Sequence, residues 1–205
     1  MCYLIMILLL FRCSIQGPSK KQPVEEVKLP KIGKKIMLWA TYYDTKDYKN
    51  ISNGIPLRDK TGRKLGPKLS NKDICDLMMQ GSGYIDNQVY GWGGMTNDHI
   101  VKCASKHISG RLKFIKSKCI KGKMNKCLTP FKSIAVDPKV IPLGTELFIP
   151  SLKGINGHDG YVVAEDIGRA ITGNHIDFYI GKNKIGEFEK VVKSHKNETF
   201  EAYIR

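Results

Sequence analysis

The sequence predicts a mainly β protein: a small closed β-barrel with short helices and an irregular Cys- and Lys-rich insertion. Three observations lead there. From Ile134 onward, apolar runs of strand length alternate with turns that carry Gly or Pro. An earlier run, Ile36-Met37-Leu38-Trp39-Ala40-Thr41-Tyr42-Tyr43, has the β-branched and aromatic content of a first strand. The chain has 205 residues, 41% of them hydrophobic, which suffices for one domain with a full core.

Each element follows in order. Tyr3 to Phe11 is an unbroken apolar run. It is shorter than the roughly 20 residues of a spanning helix and fits the core of a secretion signal over residues 1–17. Residues 18–35 are rich in Pro, Lys and Glu and read as a linker, so the folded domain is expected over 36–205. Asn53-Gly54 and Thr61-Gly62 are turn signals around a short strand, Ile55-Pro56-Leu57. Ser70 and Asp73 form a helix start, with Ile74, Leu77 and Met78 at helical spacing; Gly81 and Gly83 stop that helix. Gly91-Trp92-Gly93-Gly94 reads as a loop, and residues 91–130 as an irregular insertion.

Formal net charge is +15, which points to an anionic partner. Lys113, Lys116, Lys118, Lys121, Lys123 and Lys126 crowd one stretch, which reads first as a solvated loop and second as a contact for an anionic polymer. No aromatics are interleaved there for base stacking, so no nucleic acid is expected. Of the six cysteines, Cys2 and Cys13 fall in or near the signal, and membrane contact is expected only if Cys13 carries lipid. Cys75, Cys103, Cys119 and Cys127 suit disulfides in an oxidising compartment, in any of three pairings. There is no C-x-x-C pair and the histidines are scattered, so neither a metal nor a cofactor is expected.

The chemistry concentrates on three aspartates at strand edges: Asp137, Asp166 and Asp177. In the last of these segments Ile176, Phe178 and Ile180 share one strand face and His175, Asp177 and Tyr179 the other. The first set is expected in the core. The second is expected to line a polar surface, either an ordinary solvent-facing strand side or a row able to bind and protonate a sugar oxygen. Asp166 shares a face with Val162 and Ala164, so it is expected to point inward, where it would orient a neighbour, raise the pKa of Asp177 by like-charge repulsion, or accept backbone N–H groups. Asp137 precedes Pro138, as a turn-capping Asp does.

Three stretches carry a family resemblance: residues 133–150 (SIAVDPKVIPLGTELFIP), 163–168 (VAEDIG) and 170–181 (AITGNHIDFYIG). They closely resemble the three-aspartate (3D) domain, the catalytic barrel of membrane-bound lytic transglycosylase A and of smaller wall-lytic proteins. Met79-Gln80-Gly81-Ser82-Gly83 resembles an upstream motif of the same superfamily. The resemblance covers about residues 36–185. It implies a six-stranded double-psi β-barrel in an exported protein. It also implies non-hydrolytic cleavage of the MurNAc-β-1,4-GlcNAc bond in peptidoglycan glycan strands, leaving 1,6-anhydromuramoyl ends. Asp177 matches the catalytic acid and Asp166 the second aspartate beside it. Gln80, Gly81, Ser82, Gly83, Asp137 and Gly173 join His175 and Tyr179 as expected substrate contacts. Two other readings use the same residues: a non-catalytic polysaccharide-binding barrel, and a hydrolytic glycosidase pairing Asp166 with Asp177. The large transglycosylase walls its groove with a second domain, whereas only about 50 residues separate the upstream motif from the barrel motifs here. A short, open cleft is therefore expected.

Overall fold

A computed structural model describes residues 33–96, 103, 111–183, 185–193 and 196–205. The expected signal segment at 1–17, Cys2 and Cys13, and most of the linker lie outside the described residues.

Seven strands and a helix come first: β1 (Lys35–Asp44), β2 (Asp47–Tyr48), β3 (Ile55–Arg58), β4 (Lys64–Leu69), α1 (Asn71–Gln80), β5 (Ser82–Ile85), β6 (Gln88–Thr96) and β7 (Arg111–Ser117). The motif-bearing part follows: β8 (Ser133–Ala135), β9 (Glu146–Phe148), β10 (Tyr161–Asp166), β11 (His175–Gly181), a one-turn helix α2 (Glu189–Val192) and β12 (Phe200–Ile204). Six strands close a barrel in the order β1-β11-β8-β10-β9-β12. The pairings β1–β11 and β8–β10 are parallel; the others are antiparallel. The expected closed barrel with short helices is therefore present.

Alternation fills its interior. Leu38 and Ala40 from β1, Ile134 from β8, Leu147 from β9, Val162 and Ala164 from β10, and Ile176 and Phe178 from β11 are all fully buried in one cluster. Each large side chain among them contributes about 1.5–3 kcal/mol by leaving water. His158 is structural: it accepts from the Gly160 N–H and donates to the Phe131 carbonyl.

The segment between β1 and β8 is more ordered than its composition indicates. β2, β5, β6 and β7 form a four-stranded sheet, and β3 and β4 form a hairpin beside it. α1 packs on one face of that sheet. Ser70 caps α1 by accepting from the Asp73 N–H, and Gly81 ends it in the left-handed region at φ 82°. Ile74, Leu77, Leu57, Leu69, Ile85, Tyr90, Leu112 and Phe114 form a second core there.

The expected loop at Gly91–Gly94 is instead part of β6. The expected irregular stretch 91–130 contains most of β6 and all of β7, paired from Val89↔Ser117 to Thr96↔Arg111. The glycines serve a β-bulge between Trp92 and Gly94, with Gly94 at φ 107°. In β7 Leu112 and Phe114 are buried on either side of Lys113, while Ile115 and Lys116 are exposed, so a strand with two core residues reads as charged. Beyond β7 the chain stays largely irregular. The cysteines pair 75–103 and 119–127.

Candidate active site

The register of β1 against β11 builds the site. Trp39 lies opposite His175, Thr41 opposite Asp177 and Tyr43 opposite Tyr179, all on the face away from the barrel core. Two rows of side chains from strands far apart in sequence thus interleave. Trp39 stacks on the His175 ring with centroids 3.6 Å apart. Thr41 Oγ1 lies 2.5 Å from Asp177 Oδ1 and 2.9 Å from His175 Nε2. The Thr45 hydroxyl donates to the Tyr179 hydroxyl at 3.0 Å.

The expected polar surface is therefore covered. His175 and Tyr179 are buried, and Asp177 is only partly accessible. Tyr179 packs with Val89, Ile120, Leu128, Tyr43 and Tyr84, so the second sheet and the loop after it shield this end of the row.

Asp166 does not take the inward position that alternation from Val162 and Ala164 predicts. The register slips between Ala164 and Asp166, and such a slip turns a side chain to the other face. Asp166 Oδ2 accepts from the Tyr43 hydroxyl at 3.0 Å, and Oδ1 from the Lys123 N–H at 3.0 Å. Asp166 thus shares the outer face with Thr41, Tyr43 and Asp177.

Lys123 belongs to the loop closed by the Cys119–Cys127 disulfide. That loop docks on the end of β10: the Met124 N–H donates to the Glu165 carbonyl, and a Cβ on Gly122 would stand 2.5 Å from that same oxygen. Glycine is required there by the close approach. The Lys-rich stretch therefore carries a cationic rim to the edge of the site.

Burial pushes the carboxyls of both Asp177 and Asp166 above the usual range. For Asp177 burial is the larger cause; the neighbouring Asp166 charge pushes the same way, as expected, while Thr41 and His175 oppose it. Asp137 behaves oppositely. Its two oxygens accept from the Lys139 and Gly173 N–H groups, which hold it below the usual range. Gly173 sits at φ 63°, and the bond to it ties the turn after β8 to the loop before β11.

Gln80, Gly81, Ser82 and Gly83 lie where α1 passes into β5, on the neighbouring sheet. Gly83 is needed because a Cβ there would meet the Tyr48 ring at 2.4 Å. Cross-strand pairing puts Ser82, Tyr84, Val89, Gly91, Ile115 and Ser117 on one face of that sheet. Tyr84 and Val89 abut Tyr179, while Ile115 remains 59% exposed.

Thr41, Tyr43 and Trp39 are the site residues that sequence reasoning missed. The signal was present: they occupy alternate positions of β1, between the core residues Leu38 and Ala40 and beyond them. The Lys123 N–H left no signal, because any residue supplies one. Among the described residues no cluster of His, Cys, Asp or Glu could hold a metal ion.

Residues 132–188 match the family model of the 3D domain. Escherichia coli MltA, solved with bound chitohexaose, is similar in structure with a TM-score of 0.52 at 18% identity; the match covers 82% of this chain and 71% of that one. A membrane-bound lytic murein transglycosylase from Agrobacterium tumefaciens gives a TM-score of 0.46 at 12% identity, over 82% of this chain and 73% of that one. The MltA likeness is one of fold. A comparison with curated protein sequences finds no match.

Proposed function

We propose that this 3D-domain protein is an exported lytic transglycosylase that cleaves the MurNAc-β-1,4-GlcNAc bond of peptidoglycan, with Asp177 as the acid and then the base. The observation that carries the reading is Asp177 itself: a half-buried carboxyl with a raised pKa, held by Thr41 on the outer face of a 3D barrel.

The steps balance with one carboxyl group. Protonated Asp177 gives its proton to the glycosidic oxygen as the bond from the MurNAc anomeric carbon breaks. Positive charge develops on that sugar, as in other glycoside cleavages. The substrate's own acetamido group stabilises it, so no enzymic nucleophile is needed. Ionised Asp177 then takes the proton of the C6 hydroxyl while that oxygen bonds to the anomeric carbon. No water is consumed, and the carboxyl ends protonated as it began. Asp166, engaged by Tyr43 and the Lys123 N–H, acts as a fixed neighbour that keeps Asp177 from ionising early.

The second sheet supplies the wall that a short insertion was expected to lack. Its face with Ser82, Gly91 and Ile115 continues from Tyr84 and Val89, which already touch the site row, and offers an open strip for a glycan strand. The Lys-rich rim suits anionic wall polymers alongside that strand.

Mass spectrometry of soluble products, after residues 18–205 are incubated with purified peptidoglycan, tests the reading. Anhydromuramoyl products are expected from the wild type and not from Asp177→Asn. Reducing-end products without the anhydro bridge, or identical output from both proteins, would overturn it.

A further inference from the structure

Residues 119–127 form a small loop that closes on itself. Lys121 and Cys127 meet in an antiparallel bridge, the Gly122 N–H donates to the Lys126 carbonyl, and the Cys119–Cys127 disulfide shuts the base. Beside that base Ile120 and Leu128 are buried in the cluster that holds Tyr179. The tip docks on the end of β10 through its backbone. The Lys123 N–H donates to Asp166 Oδ1 at 3.0 Å, and the Met124 N–H to the Glu165 carbonyl at 3.4 Å. Asp166 is thus held by two bonds, one from Tyr43 within the barrel and one from this loop.

The two disulfides differ in access. Cys75 and Cys103 are each 8% exposed and belong to the second core. Cys127 is exposed and Cys119 half-buried, and the exposed Lys118, Lys121 and Lys126 flank them along the chain. Neighbouring cations stabilise a thiolate, the form in which a sulfur leaves when a disulfide is reduced. A dithiol in solution therefore reaches the loop bridge before the buried one. Its first thiolate attacks the Cys127 sulfur and Cys119 leaves; its second then displaces Cys127. The dithiol ends as a disulfide, two electrons pass to the protein, and the two thiol protons end on Cys119 and Cys127.

We propose that the Cys119–Cys127 bridge is a thiol-sensitive latch on the site: closed, it holds the loop on β10 and Asp166 beside Asp177; opened by a dithiol, it frees the loop and leaves Asp166 on Tyr43 alone. The latch deepens the transglycosylase reading and rests on it only for its effect on rate. An enzyme built this way is slack among reducing thiols and is set once it enters an oxidising compartment.

The sign of the effect on the acid follows from what surrounds it. The ionisable groups near Asp177 are Tyr43 from β1, His175 and Tyr179 from β11 and Asp166 from β10. Burial and then the Asp166 charge push the Asp177 carboxyl up, while Thr41 and His175 pull it down. Opening the latch loosens the first pair and leaves the second, so the Asp177 midpoint falls.

The test titrates the protein with dithiothreitol, traps free thiols by alkylation and locates them by mass spectrometry. Cys119 and Cys127 should be labelled before Cys75 and Cys103. At that stage hydrogen exchange at the Lys123 and Met124 amides should quicken roughly 50-fold, the chain-entropy scale of a bridge spanning 8 positions. The Asp177 midpoint, read by carboxyl carbon NMR, should fall, and reoxidation should restore both. Cys119→Ser with Cys127→Ser should match the reduced state and ignore dithiothreitol. Gly122→Ala keeps the bridge but sets a Cβ 2.5 Å from the Glu165 carbonyl, so it should undock the loop and lower the midpoint alike. Earlier labelling of Cys75 and Cys103, an unchanged midpoint after the loop bridge opens, or a dithiothreitol response that persists in the double serine variant overturns the latch. Exchange and titration need no substrate. If they succeed while no state of the protein releases anhydromuramoyl products, the latch stands and the catalytic reading falls.

Discussion

The barrel and the segment inserted between β1 and β8 solve the same problem by different means. The barrel holds itself by register. Six strands close on a single apolar cluster, and its polar site is a by-product of two interleaved strand faces. The insert has a smaller core, and both described disulfides lie in it. One bridge ties α1 to Cys103, and the other closes the loop that reaches Asp166. A small core needs such staples, whereas a closed barrel has no open edges to secure. The proposed site therefore sits on the part held by pairing, and the sheet beside it on the part held by covalent links.

The sharpest way to break that division is to strike each part separately. Asp177→Asn should leave the fold intact and lower anhydromuramoyl release by at least about 100-fold, the scale of lost general acid–base catalysis. A circular dichroism spectrum and melting curve beside the product assay would check both halves. Replacing Cys75 and Cys103 by Ser should cost about 3.5 kcal/mol in the chain-entropy account of a bridge spanning 28 positions. Hydrogen exchange should quicken in β6 and β7 and stay slow in β8 and β11. Equal loss of protection in both regions would show that the insert is not held separately.

A subtler effect links site and stability. In the folded state the Asp177 carboxyl is raised above its unfolded value by burial. The folded protein therefore binds this proton more tightly, and stability falls as pH rises through the interval from the unfolded value of about 4 to the folded one. At pH 7 the buried carboxyl is therefore a cost to the fold. Asp177→Asn should accordingly raise the melting temperature at pH 7, and the gain should shrink as pH is lowered towards 4. The smallest expected change lies in the insert: Ser70→Ala removes the α1 cap and should cost about 1 kcal/mol with no change in the pH profile of the reaction.

Much of this was legible in the sequence, and the exceptions have physical causes. β11 was readable because Ile176, Phe178 and Ile180 alternate strictly with His175, Asp177 and Tyr179, and alternation is what a strand with one buried face must show. α1 was readable because Ser70, Asp73 and Gly81 are cap residues with local jobs. Asp166 was placed on the wrong face because a bulge adds a residue without marking the sequence. β6 and β7 were hidden because glycine at a bulge and lysine on an exposed strand face also mark loops. The burial of His175 and Tyr179 was not readable from β11, since it depends on Trp39 and on the second sheet. The cysteine pairing needed three-dimensional proximity, which spacing alone does not supply.

The closing strand has a consequence in time. β12 joins β1 to β9, and Thr41 meets Asp177 across a separation of 136 residues. Contacts so distant along the chain form late and slowly. Until β12 is seated, β1 and β9 present unpaired edges and the rows that make the site have nothing to fix their register. A nascent or partly threaded chain thus lacks the assembled row of Thr41 and Asp177. The protein that we read as a wall-cutting enzyme acquires its acid only on completing its fold, so its delay in maturing is set by topology and needs no inhibitor.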